Sequence, residues 1–229
     1  MRSEEQNYTR VNRSEDAAEA FYTRLAPIYD FLAASEKKFV RMGLQLLDPQ
    51  PGENILEIGF GTGYAQGLIT AAVREGFSAG LDLSQGMARI ALEKLRQSDH
   101  AGKAGLVCSN TLPIPFPTAY FEGVFSSFTL ELFDSPQIPE VLQECRRVLK
   151  PGGRLVIVSL SKDQPLGLMG RIYEEFHIRY PKIADCRPIP VKSLVENAGF
   201  TILETRENKM WGLPVMILVA SDNYFSSLP

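Results

Sequence analysis

Cysteine is scarce in this chain: Cys108, Cys145 and Cys186 are odd in number, far apart and without a C-x-x-C pair. Thiols so placed build neither a disulfide framework nor a zinc site, and they read as buried groups of a reducing compartment. Long apolar runs are missing too, since no stretch approaches the ~20 residues needed to cross a bilayer. The first twenty residues are polar and mixed in charge, unlike the apolar centre of a signal peptide. Together these absences predict a cytoplasmic protein without a transmembrane segment. Nor is there a basic excess: a formal net charge of −3 leaves no electrostatic footprint for a nucleic-acid partner. Histidine is limited to His100 and His177, and no metal site is expected.

What is present is an ordinary globular composition, 45% hydrophobic and 22% charged over 229 residues, enough for one domain with a full core. Residues 1–13 read as a polar arm. From Ser14 to about Leu47, Phe21, Leu25, Ile28, Tyr29 and Leu32 recur at helical spacing, interrupted by Pro27, which predicts two or three short cap helices. The cluster Asp48-Pro49-Gln50-Pro51-Gly52 closes this part. Residues 1–48 are thus read as arm and cap, and 49–229 as one structural unit. In that unit, short apolar strands alternate with helical segments. Strands are expected at Asn54–Ile58, Ser78–Leu81, Gly105–Cys108, Phe121–Ser127 and Arg154–Leu160, then a hairpin pair near Thr201–Glu207 and Pro214–Ala220. Helices are expected near 63–75 with a C-cap at Gly76, from an N-cap at Ser84 through Gln97, over 135–149, and over 191–198 up to Gly199. Strands separated by helices imply βαβ units. The predicted fold is a Rossmann-like, seven-stranded, mainly parallel sheet with helices on both faces and a C-terminal antiparallel strand.

The first strand ends in Glu57-Ile58, and Gly59, Gly61 and Gly63 follow at alternate positions. A turn this rich in glycine can bring backbone N–H groups close to a ligand. The spacing is not the G-x-G-x-x-G of a dinucleotide loop, which argues against a nicotinamide oxidoreductase. No Gly-Lys-Ser/Thr phosphate loop is present either. No lysine or arginine follows until Arg74, so the turn suits a ligand with a positive centre and no phosphate. Ligands of such sheets bind outside the carboxyl ends of the strands. The second strand ends there too, in Asp82, which can accept from both hydroxyls of a ribose or else cap the following helix.

The pattern E-x-G-x-G-x-G resembles motif I of the class I methyltransferases that use S-adenosylmethionine. Three further segments are similar to that family's wording, in the same order. Asp82-Leu83-Ser84 with Met87 matches its D-x-S-x-x-M, which implies a ribose contact for Asp82 and an adenine contact for Leu83 and Met87. Asn110-Thr111, before Ile114-Pro115-Phe116-Pro117, stands where the family usually has an aspartate that accepts the adenine amino group. An amide oxygen can accept the same bond. Arg147 to Leu155, reading R-V-L-K-P-G-G-R-L, resembles the late motif, whose role is structural: a basic helix end and a left-handed glycine turn into the next strand. The resemblance implies S-adenosylmethionine as cofactor and S-adenosylhomocysteine as product. It also implies in-line displacement on the sulfonium methyl, governed by positioning and orientation of the reactants. The methionyl amine would lie near Glu57 and the glycines. Tyr22 or Tyr29 would reach the methionyl carboxylate or cover the cofactor, and Ser127 would lie near the methyl.

Within the family, Tyr22 to Asp30 and Ser127-Phe128-Thr129-Leu130 are similar to the ubiquinone/menaquinone C-methyltransferase group. Phe31-Leu32-Ala33-Ala34 and Ser159 depart from it. A quinone-like or other aromatic acceptor is therefore weighed against a phospholipid amine of the phosphatidylethanolamine type. Either lipid-like acceptor would bring a peripheral contact with a membrane. A cofactor-binding protein without catalysis stays as a third reading, and the oligomeric state is not read. His177 is the leading candidate for a substrate base, with Glu131 second. Arg171, Arg179 and Arg187 suit either an acidic substrate or a solvated surface.

Overall fold

The structure, a computed structural model, describes residues 35–98, 102–109, 112–163 and 187–222. After Glu36, α1 (Lys37–Leu47) leads into β1 (Asn54–Ile58), α2 (Tyr64–Val73), β2 (Phe77–Asp82), α3 (Gln85–Arg96) and β3 (Ala104–Cys108). Next come β4 (Phe121–Ser127), a 3-10 turn (Leu130–Leu132), α4 (Gln137–Val148) and β5 (Leu149–Leu160). Last are α5 (Val191–Asn197), β6 (Thr201–Met210) and β7 (Leu213–Ser221). One seven-stranded sheet runs β3-β2-β1-β4-β5-β7-β6. Its first five strands are parallel, and β7 lies antiparallel between β5 and β6.

The order of the strands follows from their apolar content. Strand β7, Leu-Pro-Val-Met-Ile-Leu-Val-Ala-Ser, is buried along its whole length and takes an interior place. Strand β6, rich in Glu, Arg, Asn and Lys, is largely exposed and takes the edge, where charge discourages further pairing. One face of the sheet is covered by α4 and α5 through Ile138, Val141, Leu142, Leu194 and Val195. The other carries α1 through Phe39, Val40 and Leu44, with Ile69 and Val73 of α2. Strand order reverses between β1 and β4, which places a crevice at the carboxyl ends of those strands.

α1 runs antiparallel to β5. A Cβ on Gly43 would meet Val158 and Phe125, whereas Leu47, four residues on, lies over Gly123 and its carbonyl accepts from Arg154 Nε. The helix therefore begins at the carboxyl edge, where Phe39 meets the Phe128 ring edge-on at 6.4 Å. It is a working part of one face of the core.

Three expectations need correction. Gly76 does not cap α2. The left-handed residue is Arg74, at φ +48, and Gly76 is needed because a Cβ there would stand 1.9 Å from the Glu53 carbonyl oxygen. Among the described thiols, Cys145 is buried and pushed up to about 12 by that burial and by Glu144, but Cys108 is exposed at the end of the edge strand β3. The late motif differs from its reading: Lys150 pairs with Glu122 and Gly152 has φ +75, but α4 is closed by extended Leu149, and Gly152 lies inside β5, which begins at Leu149 and not at Arg154.

Candidate active site

The glycine turn continues the parallel ladder before leaving it, with Gly59 N–H donating to the Leu81 carbonyl at 2.7 Å. All three glycines have positive φ: +77 at Gly59, +52 at Gly61 and +82 at Gly63. What crowds the first and third is the protein itself. A Cβ on Gly59 would stand 2.1 Å from Thr129 Oγ1, and one on Gly63 would stand 2.8 Å from the Ala91 Cβ. Close backbone approach is therefore required here, with the loop after β4 and with α3 as the neighbours. Tyr64 opens α2, its ring under Lys37 Nζ at 5.2 Å.

Asp82 ties this turn to the second strand. Its Oδ2 accepts from Gly61 N–H and its Oδ1 from Ser84 N–H, both at 2.8 Å. Burial holds the carboxyl above its ordinary value, against the pull of the Ser84, Gly61 and Leu83 N–H groups. Capping of α3 falls to Ser84, whose Oγ accepts from Met87 N–H at 3.2 Å. Asp82 is thus left to the loop. Each of its oxygens keeps lone-pair capacity for a further donor. Leu83 beside it is half-buried, with its carbonyl accepting from Cys108 Sγ, and Met87 is buried.

Glu57, near the end of β1, is a deeply buried acid. It is 2% exposed, and its Oε2 has no hydrogen-bond partner among the described residues. Burial first, and the neighbouring Asp82 second, raise its carboxyl well above the ordinary range. Two acids held together with no cation paired to them among the described residues make a place for a ligand that brings positive charge and N–H or O–H donors. An α-amino group and a vicinal diol satisfy that description; a phosphate does not.

A second acidic group lies beyond β4, whose last residue, Ser127, is half-buried. Ser127 offers its carbonyl to Thr129 Oγ1 at 2.9 Å, and the turn passes through Phe128 at φ +49. Glu131, the second candidate for a base, follows in the 3-10 turn and is fully buried. Its Oε2 accepts from Ser159 Oγ at 2.9 Å and its Oε1 from Leu160 N–H at 3.1 Å. Burial raises it to about 7, with Arg187 pulling the other way. Glu36, at the entry to α1, is also raised to about 7, by burial and then by Glu131. Arg187 is no surface residue: it is 3% exposed and donates to the Phe133 carbonyl at 2.7 Å. Sequence reasoning missed Glu36 and the Glu131–Ser159 pair. The available signal was Ser159, a small hydroxyl where a related group carries an acid.

The structure thus brings together Glu57, Gly59, Gly61, Gly63, Asp82, Leu83, Met87 and Ser127 along one edge. Tyr22, Tyr29, Asn110, Thr111 and His177, with Arg171 and Arg179, lie outside the described residues. Among the described residues no group of acids, histidines or cysteines could hold a metal ion.

Comparison with known proteins meets this geometry from another side. Residues 55–153 match the family described as methyltransferase domain. Over 153 residues the chain is 30% identical to a 2-phytyl-1,4-naphtoquinone methyltransferase of Synechococcus elongatus, covering 64% of this chain and 65% of that relative. It is 35% identical over 132 residues to the ubiquinone/menaquinone biosynthesis C-methyltransferase of Vibrio cholerae, covering 56% of this chain and 50% of the other. The match therefore spans less than two thirds of those relatives' lengths. In fold, the chain is similar to the crystal structure of a [4+2]-cyclase, SpnF. The TM-score is 0.75 at 16% identity, over 92% of this chain and 97% of that one. One sheet thus serves reactions of different kinds.

Proposed function

We propose that this chain, which carries a methyltransferase domain over residues 55–153, transfers a methyl group from S-adenosylmethionine to a small lipid-like acceptor, with a quinone or other aromatic ring the first choice. The observation that carries the cofactor half is Glu57: a buried carboxyl with an unpartnered oxygen beside a second acid. The acceptor half is supported by the relatives it resembles, which are named as quinone methyltransferases.

When bound, the cofactor supplies an electrophilic methyl on a sulfonium and leaves as S-adenosylhomocysteine. The chain's own part is to bind and to orient. Glu57 would face the ammonium of the methionyl group, exchanging an uncompensated burial for an ion pair. Asp82, already anchored by Gly61 and Ser84 N–H groups, would accept from the ribose hydroxyls with its remaining lone pairs. Leu83 and Met87 would lie against the adenine, and Ser127 would mark the side from which the acceptor attacks. Asn110, Thr111, Tyr22 and Tyr29 complete this assignment from outside the described residues. His177 is the first choice for the base that takes the proton an acceptor sheds on methylation.

Incubation of the full chain with methyl-labelled cofactor and a cell extract, followed by separation of lipids from polar solutes, tests the reading. Label in a quinone or another aromatic carbon is the expected result. Label in phospholipid headgroups would move the assignment to an amine acceptor. Bound cofactor with label only in polar solutes would sink the lipid-like acceptor, and bound cofactor with no transfer would revive a purely binding role.

A further inference from the structure

The turn that joins β6 to β7 is two residues long, Trp211-Gly212, closed by the pair Met210 and Leu213. Both turn residues are left-handed, at φ +53 and +83, as a type I′ hairpin requires. Asn-Gly is the usual solution, because asparagine tolerates that conformation. Here the first place is taken by tryptophan, for which a positive φ is an outlier. Its side chain gains no burial in return, since Trp211 is 69% exposed and is the most exposed large hydrophobic side chain of the described residues. A bulky apolar ring in an unfavourable turn position and in water is costly twice over, and neither cost is offset by packing of the described core.

The register shows where this tip stands. β5 ends at Leu160, opposite Val215, and Ser161 N–H donates to the Pro214 carbonyl at 3.0 Å. The hairpin therefore projects beyond the carboxyl end of β5, on the edge that carries the glycine turn and Asp82. Its stem is firm: Met210 and Leu213 are buried in the cluster that includes Phe39 and Val40 of α1. The first turns of α1 start at that same edge with Lys37, Lys38 and Arg41, and Lys209 precedes the tip; Lys38, Arg41 and Lys209 are exposed. The exposed acid nearest in sequence, Glu207, is paired with Lys192. The chain as a whole is acidic, yet Lys209 stands two residues before the indole and Lys38 is exposed on the same edge, while Lys37 and Arg41 lie over the Tyr64 ring.

We infer that the Trp211 tip is an interfacial anchor, which seats the carboxyl edge of the sheet on an anionic lipid surface. An indole is favoured at the boundary of headgroups and acyl chains, where its ring is desolvated and its N–H stays wet, and lysines beside it attract the anionic headgroups. The occupant is thus a lipid surface, and the inference rests on the lipid-like acceptor for its biological sense. An acceptor held in a bilayer would be met by the edge at which the methyl group is presented.

The test needs no acceptor, so its failure is distinguishable from failure of the functional reading. Trp211 is the only tryptophan, and its emission reports on the tip alone. With vesicles of phosphatidylglycerol and phosphatidylcholine in equal parts, the full chain should pellet with the lipid and its emission should move to shorter wavelength. Vesicles of phosphatidylcholine alone should do less. Trp211→Asn, a residue suited to the turn, should keep or raise Tm while weakening vesicle binding on the order of tenfold. Lys38→Glu with Lys209→Glu should weaken it with the indole intact. Unshifted emission in the presence of anionic vesicles, as expected if the ring serves a protein partner, would overturn the inference. So would Trp211→Asn protein that pellets as well as the wild type, or that falls in Tm with binding unchanged.

Discussion

The two ends of the sheet treat their acids in opposite ways. At the amino end every prominent carboxylate has a cation. Arg154 grips Glu53 at 2.6 and 2.9 Å while also donating to the Leu47 and Asp48 carbonyls. Glu144 pairs with Arg147, which also holds the Ile114 and Phe116 carbonyls. Both acids are pulled below their ordinary range, although for Glu53 burial is the larger single influence and opposes its partners. At the carboxyl end Glu57, Asp82, Glu131 and Glu36 are all pushed up, each chiefly by burial. One end pairs its acids with cations of its own chain; at the other, Glu57 keeps an oxygen that has no hydrogen-bond partner among the described residues.

The sharpest way to break this contrast is at the glycine turn. Gly59→Ala must place a methyl against Thr129 at a left-handed φ. It should cost roughly 2–4 kcal/mol of stability and abolish cofactor binding. Thr129→Gly added to it should recover part of the stability by removing the clash. Thermal unfolding and titration calorimetry read both.

Next in size is the amino end. Arg154→Met should lower stability by about 2 kcal/mol, because Glu53 and the Leu47, Asp48 and Glu122 carbonyls lose their donor together. Cofactor affinity should be unchanged, which separates the two ends experimentally.

Glu57→Gln should act in crossed directions. Without cofactor, replacing a buried acid whose ionised form is disfavoured should raise Tm, whereas cofactor affinity should fall on the order of tenfold through loss of an ion pair. Asp82→Ala should also weaken the cofactor, since Gly61 and Ser84 N–H groups lose their acceptor. Equal affinity in that variant would remove Asp82 from the site.

The smallest effect is a slope. A carboxyl raised to about 7 in the folded state, as for Glu131, stabilises fully below its unfolded value. That stability is lost as pH rises through 7, by at most about 3 kcal/mol. Glu53 and Glu144 have the opposite sign, and their contribution fades as pH falls below the ordinary carboxylate range. Stability should therefore fall as pH drops below the ordinary carboxylate range, and fall again as pH rises from that range through 7. Glu131→Gln should reduce the fall toward pH 7 without abolishing it, since Glu36, Glu57 and Asp82 are raised as well, and Ser159 Oγ can turn to donate to the Leu160 carbonyl, a bond it already reaches at 3.0 Å. Denaturant unfolding across pH checks this.

Much of the molecule was legible because local chemistry and global fold agree. Ser84 caps α3, Gly152 and Gly199 turn left-handed, and strands β1 and β4 begin and end where their apolar runs do. Gly76 was misread for an instructive reason: a glycine after a helix suggests a cap, but its neighbour is Glu53, which only the fold brings near. For Arg187 the structure removes the solvated-surface alternative, since exposure is a property of packing and not of residue type.

The sequence by itself determined the strand–helix alternation, the glycine turn and the acid at the end of β2, because these are set by periodicity, turn chemistry and spacing along the chain. Only the tertiary structure decided which charges are paired. That depends on residues tens of positions apart arriving at one edge, with water excluded around them. Hence the unpartnered Oε2 of Glu57, the burial of Glu131 against Ser159 and the exposed ring of Trp211 over the same edge could not be read from the chain alone.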